Sequence, residues 1–317
     1  MTVLPDDIDV VIQEVGPRDG LQAVATVYPT EGKLAWIRAE AAAGVRQIQV
    51  GSFVPPKLLP QMADSAQVVR AAKQIEGLTV SSLVPNMKGA ENAIRAGTDV
   101  VSFVLSASEE HNQRNVRCSV EESLERFARI VEFRDSDPAY HHVLLSGGIA
   151  TAFGCTIAGL VEEKSVLEIV ERFLELGADR ISLADTVGYA NPAQVKQLFG
   201  FAVNLIGDNA SVGAHFHDTR GLGLSNVFAA FEAGVREFDG SLGGLGGCPY
   251  APGATGNIVT DDAVFMMESM GVRTGIDMDG LAQARRIMES YLDDEPTHGA
   301  FVKAGLPKGF ELRPQYV

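Results

Sequence analysis

Basic residues are short in this chain: 26 lysines and arginines stand against 41 aspartates and glutamates, a formal net charge of −15 over 317 residues. So acidic a surface repels phosphate backbones and anionic headgroups, which excludes nucleic acid and membrane surfaces as main partners. A phosphorylated small molecule is still compatible, since it needs only a local cluster of cations. Cysteine is scarce as well. Cys118, Cys155 and Cys248 form no Cys-x-x-Cys pair, which fits a reducing cytoplasm and excludes a disulfide scaffold. No apolar run approaches the roughly 20 residues of a membrane helix. The opening Met1-Thr-Val-Leu-Pro-Asp-Asp7 has neither a basic nor an apolar targeting stretch. Low-complexity segments and Ser/Pro-rich linkers are missing too, so the expectation is a cytoplasmic protein folded as one domain.

What is present is a regular beat. Short β-rich runs alternate with longer helical patterns: Ile8–Val15, Val45–Val50, Leu78–Val84, Asp99–Ser106, Val143–Ala150, Asp179–Ala184, Val212–His215 and Arg236–Ser241 read as strands. The segments Glu31–Ala43, Met62–Ile75, Lys88–Ala96, Val120–Asp135, Glu162–Leu176, Pro192–Ile206, Leu222–Ala233 and Val259–Met270 read as the helices after them. Four helices end in Ala-Gly or Leu-Gly, the chemistry that turns a chain out of a helix. Eight such units predict a (β/α)8 TIM barrel over about residues 8–277, with hydrophobic content of 46% ample for its core. A doubly wound sheet seldom keeps this rhythm. Beyond lies a helical extension over Gly280–Leu292 and a loose tail.

A barrel of this kind carries its chemistry at the C-terminal ends of its strands. The first strand runs into Arg18-Asp19-Gly20, the seventh ends with His215 and His217, and the eighth leads through a glycine-rich loop to Asn257. On a strand, residues two apart face the same side, so both imidazoles converge. Strand eight lies between strands one and seven in a closed barrel, which brings Asp19, His215, His217 and Asn257 into one sector. Two imidazoles, a carboxylate and an amide carbonyl suit a six-coordinate Mg²⁺, Mn²⁺ or Co²⁺ better than a thiolate-rich structural zinc. Two positions would stay open for a substrate hydroxyl and a nearby carbonyl.

Three stretches, Glu14-Val-Gly-Pro-Arg-Asp-Gly-Leu-Gln22, Ala214-His-Phe-His-Asp-Thr219 and Gly243-Gly-Leu-Gly-Gly-Cys-Pro-Tyr-Ala-Pro-Gly-Ala-Thr-Gly-Asn257, resemble the 3-hydroxy-3-methylglutaryl-CoA lyase family. That family sits within a larger group of metal-dependent lyase and synthase TIM barrels. The resemblance covers roughly residues 8–291 and extends to Ser52-Phe-Val-Pro-Pro-Lys57 and Asp185-Thr-Val-Gly188. It implies retro-Claisen cleavage of a 3-hydroxyacyl-CoA thioester to acetyl-CoA and a keto acid, in a homodimeric enzyme. It also implies that Asp19, His215, His217 and Asn257 bind Mg²⁺ or Mn²⁺, that Arg18 lies on the thioester oxygen, that Cys248 takes part in proton transfer, and that Asp185 positions the reacting groups. Gln22, Gln49, Ser52 and Thr186 are expected around the substrate, and Lys57, Arg114 and Arg117 are candidates for the CoA phosphates. His111, His141, His142 and His298 read as structural or surface residues, and Cys118 and Cys155 as inert.

Two departures touch the acyl end of the substrate. Many relatives carry a glutamate where this chain has Gln49, and the fifth strand, Ser146-Gly147-Gly148-Ile149, lacks the larger polar or aromatic residue expected there. The acyl group is therefore open between 3-hydroxy-3-methylglutaryl and another, such as citramalyl. A condensing enzyme and a non-catalytic, metal-binding barrel are the further alternatives.

Overall fold

Eight parallel strands close into a barrel in which each pairs with its sequence neighbours and the last with the first. They are β1 (Val11–Glu14), β2 (Gln47–Ser52), β3 (Thr79–Val84), β4 (Val100–Ser106), β5 (Leu144–Ala150), β6 (Arg180–Asp185), β7 (Ser211–Phe216) and β8 (Glu237–Gly240). The computed structural model describes residues 7–247, 256–292 and 295–310. A one-turn α1 (Leu21–Ala23) and α2 (Thr30–Ala42) follow β1. Then come α3 (Ser65–Ala72), α4 (Met87–Ala96), α5 (Glu109–Val116), α6 (Val120–Asp135), α7 (Glu163–Glu175), α8 (Pro192–Ile206), α9 (Gly223–Glu232) and α10 (Thr260–Ser269). The C-terminal extension is α11 (Met278–Glu289), packed on α2, and the short α12 (Phe301–Ala304). The expected (β/α)8 architecture with a helical extension is the one observed.

Local chemistry sets the element ends. Ser119 and Asn191 cap α6 and α8 in reciprocal capping boxes with Glu122 and Gln194, each satisfying backbone donors a helix start leaves open. Gly97 ends α4 at φ +97°, a conformation open to glycine without a Cβ penalty. Between strands and helices lies an aromatic layer in which Phe127 meets Phe173 edge-on at 4.9 Å between ring centroids. Inside the barrel, by contrast, Gln13, Gln49, Ser102, Ser146, Arg180, Ser182 and Asp239 line a cavity rather than a packed apolar interior. That polar lining is what sets this barrel's rim up for chemistry.

Several boundaries differ from the sequence reading. β1 begins at Val11 rather than Ile8, because Asp9 and Val10 donate to the Arg273 carbonyl instead of to a neighbouring strand. The helix expected over Met62–Ile75 is shorter: Pro60–Met62 forms a separate 3₁₀ turn. Ser65 Oγ, at the start of α3, donates to the Ser52 carbonyl at 2.9 Å. The helix α5 was not foreseen, its eight residues being too polar to show a stripe. Residues 295–310 are not loose throughout: Phe301 is buried and stacks on Phe265 with centroids 5.5 Å apart, and the His298 amide donates to the Gly243 carbonyl at 2.8 Å. Among the described residues no helix is long and apolar enough to cross a membrane.

Candidate active site

The turn after β1 is a π-helical one, Gly16–Gly20, in which the amides of Arg18 and Asp19 both donate to the Val15 carbonyl, at 3.1 and 2.6 Å. Such wide turns recur at functional sites because they re-aim consecutive side chains. Here they aim Arg18 and Asp19 into the barrel mouth, where the two form a buried ion pair. His215 is the last inward-facing residue of β7, in register with Asp239 of β8. His217 lies one residue past the strand and bridges to Asn257. The two Nε2 atoms are 3.2 Å apart. Ligand atoms of Asp19, His215 and His217 all fall within 4.8 Å of one another. Asn257 joins them: its Nδ2 donates to Asp19 Oδ2 at 2.7 Å and to the Leu245 carbonyl at 3.1 Å. Its buried Oδ1 has no hydrogen-bond partner among the described residues. An orphaned buried acceptor costs stability unless something binds it.

Electrostatics support the same reading. Burial opposes ionisation of Asp19, but the Arg18 guanidinium and the two imidazoles outweigh it and hold the carboxyl at about 2. Burial lowers His217 to about 4, with the neighbouring His215 adding to the effect. Burial also works against a charged His215, yet the hydrogen bond and charge of Asp239 raise it overall. Asp239 is itself kept ionised against burial by Arg180. An ionised carboxylate can only accept, so His215 Nδ1, 3.1 Å from Asp239 Oδ2, is the protonated nitrogen. Its Nε2 therefore presents a lone pair to the cluster. The donor set of two Nε2 atoms, one carboxylate and one amide carbonyl fits a divalent cation.

Around this cluster a cavity of about 680 Å³ opens. Gln22 donates to Asp19 Oδ1 at 3.0 Å. Gln49 spans the cavity wall: its Oε1 accepts from Arg18 Nε and its Nε2 donates to Ser102 Oγ at 3.1 Å. Thr186 lines the cavity and accepts the Thr151 amide at 2.8 Å. Arg114, Arg117 and Arg126 lie along the same cavity. Ser52 is placed differently. It is fully buried at the end of β2, with its backbone tied to Ser65. Asp185 has both oxygens engaged by the amides of Tyr189 and Ala190, at 2.8 and 3.0 Å, so in this conformation it fixes the β6 loop. Cys248 lies outside the described residues.

Two groups escaped the sequence reading. Arg180 on β6 pairs with Glu237 at 2.9 Å and Asp239 at 3.2 Å, and the latter orients His215. Alternating charge in Glu237-Phe-Asp239, on a strand that must face a barrel interior, was the signal available. Glu14 was read only as part of a motif. Its carboxylate accepts from the Gly16 and Leu242 amides and from Thr260 Oγ1.

Residues 9–288 match the HMGL-like family model. The hydroxymethylglutaryl-CoA lyase of Pseudomonas mevalonii is 40% identical over 270 residues, covering 85% of this chain and 88% of its own length. A 3-hydroxy-3-isohexenylglutaryl-CoA/hydroxy-methylglutaryl-CoA lyase of Pseudomonas aeruginosa is 38% identical over 86% of this chain and 89% of its own. The structure of an HMG-CoA lyase from Acinetobacter baumannii in complex with coenzyme A and 3-methylmalate superposes with a TM-score of 0.89 at 42% identity, over 99% of this chain and all of that one. A likeness that runs from β1 through α11 and takes in every strand carrying the site leaves one assignment: the chain belongs to the HMGL-like family.

Proposed function

We propose that this protein cleaves 3-hydroxy-3-methylglutaryl-CoA to acetyl-CoA and acetoacetate in a retro-Claisen reaction dependent on Mg²⁺ or Mn²⁺. The observation that carries the reading is the convergence of Asp19, His215, His217 and the orphaned Asn257 carbonyl beside Arg18, in one cavity. Asp19, His215, His217 and Asn257 would hold the cation, with Asp239 and Arg180 fixing the His215 tautomer behind it. Bound there, the cation polarises the oxygens of the substrate and makes its 3-hydroxyl proton easier to remove.

The bond changes follow from the substrate. The hydroxyl proton is lost, the C2–C3 bond breaks, and the carbinol carbon becomes the ketone of acetoacetate. The electron pair of the broken bond moves into the enolate of the acetyl thioester, and C2 takes up a proton to give acetyl-CoA. Arg18 is the group for the enolate oxygen. Gln49 orients the Arg18 guanidinium without neutralising it. A fixed guanidinium in a buried site meets the developing charge with no solvent reorganisation. Cys248 is the proposed proton carrier, and Arg114 and Arg117 the proposed partners of the CoA phosphates. A homodimer in the cytoplasm belongs to the same reading, and sedimentation velocity reads the first of these.

A second acyl group is the alternative reading, supported by the Gln49 amide, which holds no charge for the acyl end of the substrate, and by two relatives: one is named for an isohexenyl substrate as well and one was solved with 3-methylmalate. A thioester panel, assayed with chelator and with Mg²⁺ or Mn²⁺ restored, tests both readings. Metal-dependent acetyl-CoA release that is fastest from 3-hydroxy-3-methylglutaryl-CoA is the expected result. Faster release from citramalyl-CoA selects the second reading, and no release from any thioester refutes both.

A further inference from the structure

Beneath the Arg18–Asp19 turn lie two carboxyl groups shut away from the surface. Glu14 on β1 and Glu40 on α2 are both fully buried, and among the described residues no lysine, arginine or histidine forms an ion pair with either. Glu14 Oε1 accepts the Gly16 amide at 2.7 Å and the Leu242 amide at 3.0 Å, and its Oε2 accepts Thr260 Oγ1 at 2.7 Å. These three donors are the root of the turn bearing Arg18 and Asp19, the start of the glycine-rich loop, and the first residue of the helix that leaves it. One carboxylate thus ties together the segments that bring Asp19 and Asn257 to one point. Glu40, in contrast, receives none of these donors. Among the described residues neither of its oxygens accepts a hydrogen bond, and Glu14 and the Trp36 indole are the polar groups beside it.

Two carboxylates cannot both stay charged in such a place, so a proton must sit between them. Burial pushes Glu14 up to about 7 and Glu40 well above the usual carboxylate range, the latter further raised by Glu14. Glu14 is already occupied by three donors, which favour its charged form. The proton therefore belongs on Glu40. The other titratable group facing Glu40 is Tyr28, ahead of α2, which in turn meets Tyr291 with ring centroids 5.3 Å apart.

We propose that Glu40 is a positioning residue that carries a proton and donates it to Glu14, so that Glu14 holds the Arg18–Asp19 turn and both roots of the glycine-rich loop in the geometry the cation ligands need. The proposal rests on the reading of Asp19 and Asn257 as ligands, but its core can be tested without any cation.

Infrared spectroscopy of the metal-free protein at neutral pH is expected to show the carbonyl band of an un-ionised, buried carboxylic acid, lost in Glu40→Gln. A parent spectrum without that band overturns the proposal. Hydrogen exchange then reads the positioning. Glu40→Gln keeps an N–H donor for Glu14 and should leave peptides covering Gly16–Gly20 and Leu242–Gly247 protected. Glu40→Leu removes the donor and should speed their exchange about tenfold, with Mn²⁺ affinity falling about tenfold or more and kcat falling more than KM rises. Parent-like exchange in Glu40→Leu, or equal loss in both variants, overturns it. Should Glu40→Leu not fold, Glu40→Met, similar in length and without a donor, takes its place. A parent protein that shows the band but binds no Mn²⁺ would instead defeat the ligand assignment while leaving the shared proton standing.

Discussion

Arg18 pairs with Asp19 and Gln49 at once. If its task is to meet the enolate oxygen, Arg18→Gln should lower kcat/KM by about 10²–10³, the roughly 2.7–4 kcal/mol typical of one lost oxyanion donor. Mn²⁺ affinity should change only a few-fold, so steady-state kinetics and titration calorimetry together separate this role from ligand support. Equal loss of both would assign Arg18 to the cation instead. Asp239 invites the opposite pattern. Asp239→Asn removes the charge that raises His215 and leaves Arg180 with Glu237 as its one carboxylate among the described residues, beside the Gln13 amide. Mn²⁺ affinity should fall by about 10–100-fold, the usual cost of losing the partner behind a metal-bound imidazole. The convergence of Asp19 and the histidines was legible in sequence, because strand spacing and barrel closure bring such residues together. The placing of Asp239 beside His215 was not, since a single aspartate on a strand has no signature until its neighbour is known.

At the level of elements, Gly246 is a described residue of the glycine-rich loop that lies against Asn257. Its φ of +119° is one that side chains avoid, and a Cβ there would lie 2.6 Å from Asn257 Nδ2. Gly246→Ala should therefore cost about 1–3 kcal/mol of stability from backbone strain, read by urea unfolding, and should weaken Mn²⁺ binding by displacing Asn257. Retained Mn²⁺ affinity would mean the loop and the ligand are uncoupled. The strands and most helices were legible because an apolar period of two or 3.6 survives without knowledge of partners. The helix α5 was not, because Glu109–Val116 is held by its Ser108 cap and by Asn112, which donates to the Cys118 and Ser119 carbonyls, rather than by an apolar face.

For the molecule as a whole, the buried carboxyl pair ties stability to pH. Each carboxyl holds its proton more tightly folded than unfolded, where the ordinary value is 4.5. Their contribution is therefore complete below about 4.5 and is lost as pH rises through about 7 and beyond. Thermal unfolding of the metal-free protein should show Tm falling with rising pH across this window, less steeply in Glu40→Gln. Identical slopes in the two proteins would mean that no proton is shared. His217, held neutral to about 4, acts in the other direction at acid pH, and the comparison between the two proteins cancels it.

By itself the sequence determined the barrel, its eight units, the family likeness and the residue types of the candidate cation site, because periodicity, capping and motif spacing are local properties. It left undecided which polar groups stand behind those residues. The closure of β8 onto β1 brings Glu14 to Thr260, 246 residues apart in sequence, and β6 and β8, on either side of β7, bring Arg180 to Asp239 across the barrel interior, 59 apart. Such pairings exist only once the sheet has closed on itself, since burial and a partner's charge, not spacing, give those side chains their role.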